Sequence, residues 1–450
     1  MNVLGIDIGT TSLSFVVMDI NQNLLKKSLT IKNNSFFLSD NSFEKTQDPE
    51  FIWEEIKKVL SDLQNDNNEI TKIKGIGLTG QMHGMLYIDE KGNAVSPLYT
   101  WQDASGNQIY QKNKSYVQIL SEQAGYQMAT GFGSSTYYVH RQKNSVPKSA
   151  VSFCTIMDYI GMKLTNRTSP LMHTSNAASF GLFDVEHLHF DKLAIEKVGL
   201  NFEMFPKVSS SIEILGYYQD EIPVLTAIGD NQASFFGAVK NWEESVLVNV
   251  GTGSQISFVV NSFVEAEEME TRPFAENKYL LVSSPLCGGR AYAMLADFYQ
   301  SVLSGFLSYS NIAESFNKEG VYNWMDKLLE ENFSRIQKEN ILKIHPNFSG
   351  TRKNPSVKGS ITGIDTTNFT PESFIYGMLL GIAENLYESF IKCPEDIKTG
   401  KLYLVGSGNG IRKNIYLQKI FEEMFQLPLS IPNSEEEAAS GAALLFCDFQ

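Results

Sequence analysis

Two stretches of this 450-residue chain read nearly alike: IDIGTTSLSFVV close to the start and VNVGTGSQISFVV near the middle. Each reads as a strand, a tight Gly-Thr turn and a second strand, with β-branched residues flanking the turn. Set against each other, Asp7 lies opposite Asn249, Gly9 opposite Gly251, Thr10 opposite Thr252 and Ser12 opposite Ser254, and one extra residue in the second copy restores the shared SFVV. A repeat over this distance predicts two related domains, as does a length too great for one hydrophobic core. Each copy is followed by an amphipathic helical segment, PEFIWEEIKKVLSDLQ and PESFIYGMLLGIAENLYESFI. Each half also carries a late strand that enters a glycine-bearing turn, KIKGIGLTGQMHG and KLYLVGSGNGIRKN. Strands alternating with helices predict an α/β layered architecture, divided near residue 233.

The balance of 42% apolar and 20% charged residues is that of a globular enzyme. A net charge of -14, with no concentrated basic field, argues against a nucleic acid partner, although backbone N–H groups and magnesium can still bind ATP locally. Cys154, Cys287, Cys393 and Cys447 form no CxxC pair or metal-like spacing and read as reduced thiols. MNVLGIDIGTTS lacks the basic region and apolar run of a signal peptide, and no segment approaches the roughly 20 apolar residues that span a bilayer. The expectation is a soluble, cytoplasmic protein without a membrane partner. Near the end, NSEEEAASGAALLF predicts a helix capped by Ser434 with Glu437 three residues on, its glutamates structural and its small residues seated against a neighbouring loop. Residues 265–277, acidic and poorly periodic, read as an exposed loop.

Several segments carry chemistry. A tight turn exposes consecutive N–H groups, and glycine lets a polyphosphate approach without a Cβ in the way. Thr10, Thr11, Ser12 and Thr252 add hydroxyl donors, and Asp7 can hold magnesium through water. In AIGDNQASFFGAV, an apolar strand ends in Gly229 and Asp230, whose carboxylate either faces a cleft to take a proton from a hydroxyl or caps a helix beginning at Asn231. VGSGNGIRKN spaces its glycines unlike a dinucleotide fingerprint and suits a turn beneath an adenine ring. In TWQD, Trp101 offers a flat apolar face and Asp103 a hydroxyl acceptor, a pair that fits either a sugar or a buried tryptophan beside a turn. TGQMHGM sets Gln81, Met82 and His83 between glycines at a strand end, where plain core packing calls for apolar side chains.

Taken in order, GIDIGTTS, GQMHG, TWQD, AIGDNQAS, NVGTGS, GSGNG and AASGAAL resemble the FGGY carbohydrate kinases, of the actin, hexokinase and Hsp70-like superfamily, over nearly the whole chain. TWQD, ATGFG at 129–133, and PLM followed by NAASFG within 170–181 are most similar to the sedoheptulose branch, and the xylulose branch comes next. The resemblance implies two actin-like (ribonuclease H-like) α/β domains with a deep cleft, residues 1–233 binding sugar and 234–450 nucleotide. It implies ATP-dependent phosphorylation of a ketose's terminal hydroxyl, with Mg2+ as cofactor; a nucleotide-binding sensor or ATPase of the same fold is the rival class. By motif, Asp230 matches the base; Asp7, Thr10, Thr11 and Ser12 the first phosphate element; and Gly251 and Thr252 the second. Gly406, Ser407, Gly408 and Asn409, with Asn414 nearby, match the adenosine turn. Gln81, Met82, His83, Trp101, Asp103 and Asn231 match the sugar-facing segments. The partners implied are a ketose and MgATP, and a homodimer is compatible with the sequence. One departure is SGTRKNP at 349–355, where Thr351 replaces the family's glutamate beside Arg352.

Overall fold

The computed structural model describes residues 1–65, 72–309, 317–336, 341–351, 354, 356–432 and 436–449. The first repeat forms an antiparallel pair, β1 (Asn2–Ile8) and β2 (Ser12–Asp19), which β3 (Leu24–Lys32) extends. Helix α1 (Pro49–Asn65) buries Ile52, Ile56, Val59 and Leu63 along one stripe, the spacing that gave it away in the sequence. β4 (Ile76–Gly80), buried at every position, lies parallel to β1 and sets Thr79 beside Asp7. Burial on both faces is why IGLTG shows no polar alternation. A short helix, α2 (Thr174–Ser179), precedes β5 (Ile214–Tyr218), β6 (Ile222–Leu225) and β7 (Ile228–Gly229), and β7 runs directly into α3 (Asp230–Ala238). The sheet order is β5-β6-β4-β1-β2-β3, with β7 paired to the end of β4.

The second repeat builds the same pattern again. β8 (Ser245–Val250) pairs antiparallel with β9 (Ser254–Val260), and β10 (Glu270–Pro273) and β11 (Tyr279–Ser283) extend that side. Helices α4 (Gly289–Tyr309) and α5 (Pro371–Ile391) lead to β12 (Tyr403–Ser407), which lies parallel to β8 as β4 lies parallel to β1. Then come α6 (Asn409–Arg412), α7 (Ile415–Phe425), β13 (Leu429–Ser430) and α8 (Glu437–Leu444). The order is β10-β11-β9-β8-β12-β13. Asn249 therefore holds Ser407 beside it, as Asp7 holds Thr79. Residue 233, the position read as the division, falls inside α3.

Two expectations change. Residues 265–277 are not simply an exposed loop, because β10 lies within them and Phe274 is buried, stacked on Phe236 at 4.5 Å between centroids. A four-residue edge strand ending in proline has too few inward positions to show a period. The small residues of α8 lie against strands and a helix rather than a loop. A Cβ at Gly5 of β1 would come within 1.8 Å of the Ala439 carbonyl oxygen, and one at Gly77 of β4 within 1.9 Å of that of Ala442. Between the helices, a Cβ at Gly237 would meet the Glu437 carbonyl oxygen at 1.9 Å, and one at Gly441 that of Ala233 at 1.8 Å. The expected cap, Ser434, lies outside the described residues; α8 begins after Glu436, which makes no side-chain cap bond.

Among the described residues no disulfide forms, and Cys154, Cys287 and Cys393 are buried. Among the described residues, no helix is long and apolar enough to cross a membrane.

Gly77→Ala is expected to destabilise the protein by about 2 kcal/mol or more, since the methyl meets backbone that cannot swing aside. Gly305→Ala in α4, where nothing lies within 4 Å of the new Cβ, is the control and should gain roughly 0.5 kcal/mol. Thermal unfolding of both variants checks this, and equal shifts would show that α8 is not seated as described.

Candidate active site

The turn between β1 and β2 is tied down by its carbonyls. Asn33 donates through Nδ2 to Gly9 O at 2.9 Å and through its backbone N to Thr11 O at 2.9 Å, while Gln47 Nε2 donates to Thr10 O at 2.8 Å. A trans peptide points its N–H opposite to its C=O, so the N–H groups of Thr10, Thr11 and Ser12 face away from these anchors. The side chain of Thr10 joins a chain of contacts that runs from exposed Trp101 to buried Gln81. Its hydroxyl donates to Gln81 Oε1 at 3.1 Å and accepts from Trp101 Nε1 at 3.0 Å, and Gln81 Nε2 donates to Gln47 Oε1 at 2.8 Å.

The turn between β8 and β9 is held by the first turn of α4. Gly289 N donates to Gly251 O at 2.9 Å and Arg290 N to Thr252 O at 3.0 Å, which directs the Thr252 and Gly253 N–H groups away from α4. Beside it, Gly408 adopts φ 83, and a Cβ there would stand 2.7 Å from the Val250 carbonyl oxygen, so the glycine turn runs directly over the end of β8. Gly406 is wedged between Ile411 and Ile431. Ser407 is fully buried; its hydroxyl accepts from Asn249 Nδ2 at 2.7 Å and helps to stabilise the charged form of Glu437. Asn414 caps α7, its Oδ1 accepting from Leu417 N at 2.9 Å. Asn409 stays exposed on the open side of the turn.

Between the two turns lie the carboxylates. Asp230 is the first residue of α3 and Gly229 is the N-cap, so the capping alternative gives way to a carboxylate in the first helical turn. Burial pushes Asp230 up to about 6, against the opposing effects of the Asn231 N–H and the Arg272 charge. Burial, followed by the charges of Asp230 and Glu436, pushes Asp7 up to about 7, so the three carboxylates share one region. Glu436 also accepts from Thr30 Oγ1 at 2.7 Å. Asp7 Oδ1 is buried with no hydrogen-bond partner among the described residues. An orphaned carboxylate oxygen amid surplus negative charge suits a hard divalent cation, so the residues present fit magnesium held by Asp7, directly or through water. Asn231 Nδ2 donates to Gln255 Oε1 at 3.0 Å and so joins α3 to β9 of the second repeat.

On the other side of Asp230, the Met82 sulfur lies 2.6 Å from where a Cβ on Gly229 would stand, so only glycine admits that contact. His83 adopts φ 72, donates from Nδ1 to Ser179 O at 2.8 Å, and stacks on Phe132 at 4.8 Å with planes 5° apart. Trp101 keeps 48% of its surface exposed. Asp103 is buried, which raises its pKa, and it accepts from Ser105 N at 3.0 Å and Lys45 N at 3.2 Å. Gly131, at φ 81, packs on the Trp101 carbonyl, where a Cβ would come within 2.1 Å.

Contacts join several of the sequence-derived residues: Thr10 with Gln81 and Trp101, Met82 with Gly229 beside Asp230, Asp7 with Asp230 through their charges, and Gly408 with Asn249. The polar groups of Gln81, Asp103, Ser407 and Asn414 bond to neighbouring protein groups and hold the loops. Asn33, Gln47, Phe132, Ser179 and Gln255 were not singled out as site residues; ATGFG contained Phe132, NAASFG contained Ser179 and the second repeat contained Gln255, while Asn33 and Gln47 carry no local signal. Thr351 accepts from Asn354 N at 3.0 Å in a turn, and Arg352 lies outside the described residues.

The model of the FGGY family of carbohydrate kinases, N-terminal domain, matches residues 2–237. Sedoheptulokinase of Mus musculus is 25% identical, the match covering 98% of this chain and 96% of that protein. Gluconokinase of Bacillus subtilis is 23% identical over 98% of this chain and 86% of its own length. The solved xylulose kinase of Rhodospirillum rubrum superposes with a TM-score of 0.79 at 18% identity, covering 99% of this chain and 89% of that one. The fold is therefore the two-domain actin-like one.

With metal chelated, the raised pKa of Asp7 makes stability fall as pH rises from about 4 to about 7, because over that window the native state holds a proton that the unfolded state has lost. Asp7→Asn should therefore gain on the native protein at pH 8 and differ little at pH 4. Melting temperatures at the two pH values check this, and an equal offset at both would place Asp7 in an ordinary carboxylate environment.

Proposed function

Because the chain belongs to the FGGY family of carbohydrate kinases, we propose that it transfers the γ-phosphoryl group of ATP to the terminal primary hydroxyl of a ketose, sedoheptulose first among candidates. The observation that carries this reading is Asp230. It stands at the start of α3, directly after the Gly229 on which Met82 packs, with a pKa of about 6 that leaves it mostly ionised at neutral pH and able to accept a proton.

In this reading residues 1–233 bind the sugar and 234–450 the nucleotide. The Asp230 carboxylate accepts the hydroxyl proton as the oxygen attacks. Outward N–H groups of the β1–β2 and β8–β9 turns bear phosphate charge, which is the protein's main contribution to a loose phosphoryl transition state. Magnesium, held by Asp7, supplies neutralisation of the polyphosphate when bound. Gly408 and Asn409 lie under adenine. The His83 imidazole and the exposed Trp101 face take the sugar, Met82 packs on its carbon side, and Gln81 and Asp103 keep those groups in place. Asn231 ties the base's helix to β9, so closure of one lobe on the other excludes water from the reacting oxygen. The reaction belongs in the cytoplasm.

Sedoheptulose is favoured by TWQD, ATGFG and NAASFG and by the full-length similarity to the mouse sedoheptulokinase. D-xylulose is the second reading, supported by the likeness to the xylulose kinase structure. ADP release measured with sedoheptulose, D-xylulose, D-ribulose, L-fuculose, gluconate and glycerol separates them. The highest kcat/KM is expected for sedoheptulose, and a preference for D-xylulose transfers the assignment. Asp230→Asn should lose roughly 10²-fold or more of turnover while still binding ATP. The native kcat/KM should fall on acidification through about pH 6, as the base takes up its proton. Near-normal turnover of the variant would remove Asp230 from the chemistry.

A further inference from the structure

Helix α2 lies beneath the site and touches both of its working ends. β7 is only two residues long, too short for ladder bonds alone to fix the peptide that delivers Asp230. Buried side chains hold it instead. Asn176 Nδ2 donates to Ala227 O at 2.9 Å, Thr79 Oγ1 donates to Ile228 O at 2.9 Å, and Ser175 Oγ accepts from Gly229 N at 3.1 Å. Three consecutive residues before Asp230 are thus each held by a separate side chain. The orientation of the Ser175 hydroxyl is itself set. His173 Nδ1 lies 2.9 Å from Ser175 Oγ and accepts from Ser175 N at 3.2 Å, and burial, which pushes His173 down to about 4, keeps the ring neutral and Nδ1 an acceptor. The hydroxyl proton goes to His173, which leaves an oxygen lone pair for the Gly229 N–H. At the other end of the same helix, Ser179 Oγ accepts from His83 N at 3.1 Å and Ser179 O from His83 Nδ1 at 2.8 Å.

We propose that α2 is a positioning element for the reaction: Ser175 and Asn176 fix the base Asp230, and Ser179 fixes the sugar-reading His83, so that one six-residue helix sets the spacing between base and acceptor. The inference rests on Asp230 being the base. It assigns separate kinetic consequences to the two ends, because one end holds a group that acts in the transition state and the other a group that binds the ground state as well.

Steady-state kinetics with the preferred ketose tests this in Ser175→Ala, Ser179→Ala, Asp230→Asn and the Ser175→Ala/Asp230→Asn double variant, with ADP binding as the measure of folded enzyme. Ser175→Ala should lower kcat roughly 10-fold to 100-fold, the scale of a small displacement of a catalytic group, and leave ADP affinity unchanged. In the Asp230→Asn background the same change should cost nothing further, since there is no base left to misplace. Ser179→Ala should raise the ketose KM about 5-fold and hold kcat within about twofold. Equal losses from Ser175→Ala in both backgrounds, or a lowered melting temperature with kcat intact, would reduce α2 to a structural support. An inactive Asp230→Asn beside a fully active Ser175→Ala overturns this inference alone, whereas an active Asp230→Asn overturns the assigned base and this inference with it.

Discussion

Much of this structure depends on the contact of α8 with β1, β4 and α3, made backbone to backbone. Four glycines, Gly5, Gly77, Gly237 and Gly441, remove the Cβ atoms that would otherwise hold these elements apart. The helix so seated carries Glu437 at its N-terminus to Ser407 and Arg412 of the second repeat. This late helix is thereby part of the first sheet's core while its leading carboxylate pairs with Arg412 beside the glycine turn. The strands bearing Asp7 and the Gln81–His83 segment, the helix bearing Asp230 and Arg412 beside the Gly408 turn all make contact with this one helix.

That packing lets unfavourable electrostatics persist. Burial raises the pKa of both Asp7 and Asp230, and at Asp7 the nearby charges of Asp230 and Glu436 add to the cost. A site that carries surplus negative charge before its ligands arrive is arranged for a cation and for proton acceptance. Loop carbonyls drawn inward around both turns complete the arrangement by turning N–H groups toward the place where phosphate charge would lie.

The doubled architecture was legible because its signal is local: a Gly-Thr turn between β-branched strands recurs, and each copy forms an antiparallel pair whose first strand takes a parallel partner on its other side. Asp230 was legible as a position and not as a role, since aspartate after glycine at a strand end suits a cap equally well. Only the helix start at Asp230, with Gly229 as cap, separates the two. Gln81 was read as a sugar contact because a polar residue stood at a strand end, and Asp103 because it set a hydroxyl acceptor beside the flat face of Trp101. Their bonding to Thr10, Gln47, Lys45 and Ser105 depends on loops distant in sequence, which no spacing reveals. The seat of α8 was hidden for the same reason, as AASGAAL announces a close approach without naming what approaches.

The central claim is geometric, that one carboxylate at the head of α3 receives the acceptor hydroxyl while both turns grip the donor phosphates. A crystal structure with ADP, magnesium and the preferred ketose tests it most directly. The expected result is the terminal hydroxyl of the sugar within about 2.6–3.2 Å of an Asp230 oxygen, with the ADP phosphates against the two turns. A ketose whose terminal hydroxyl meets another residue, with Asp230 directed away from it, would contradict the claim.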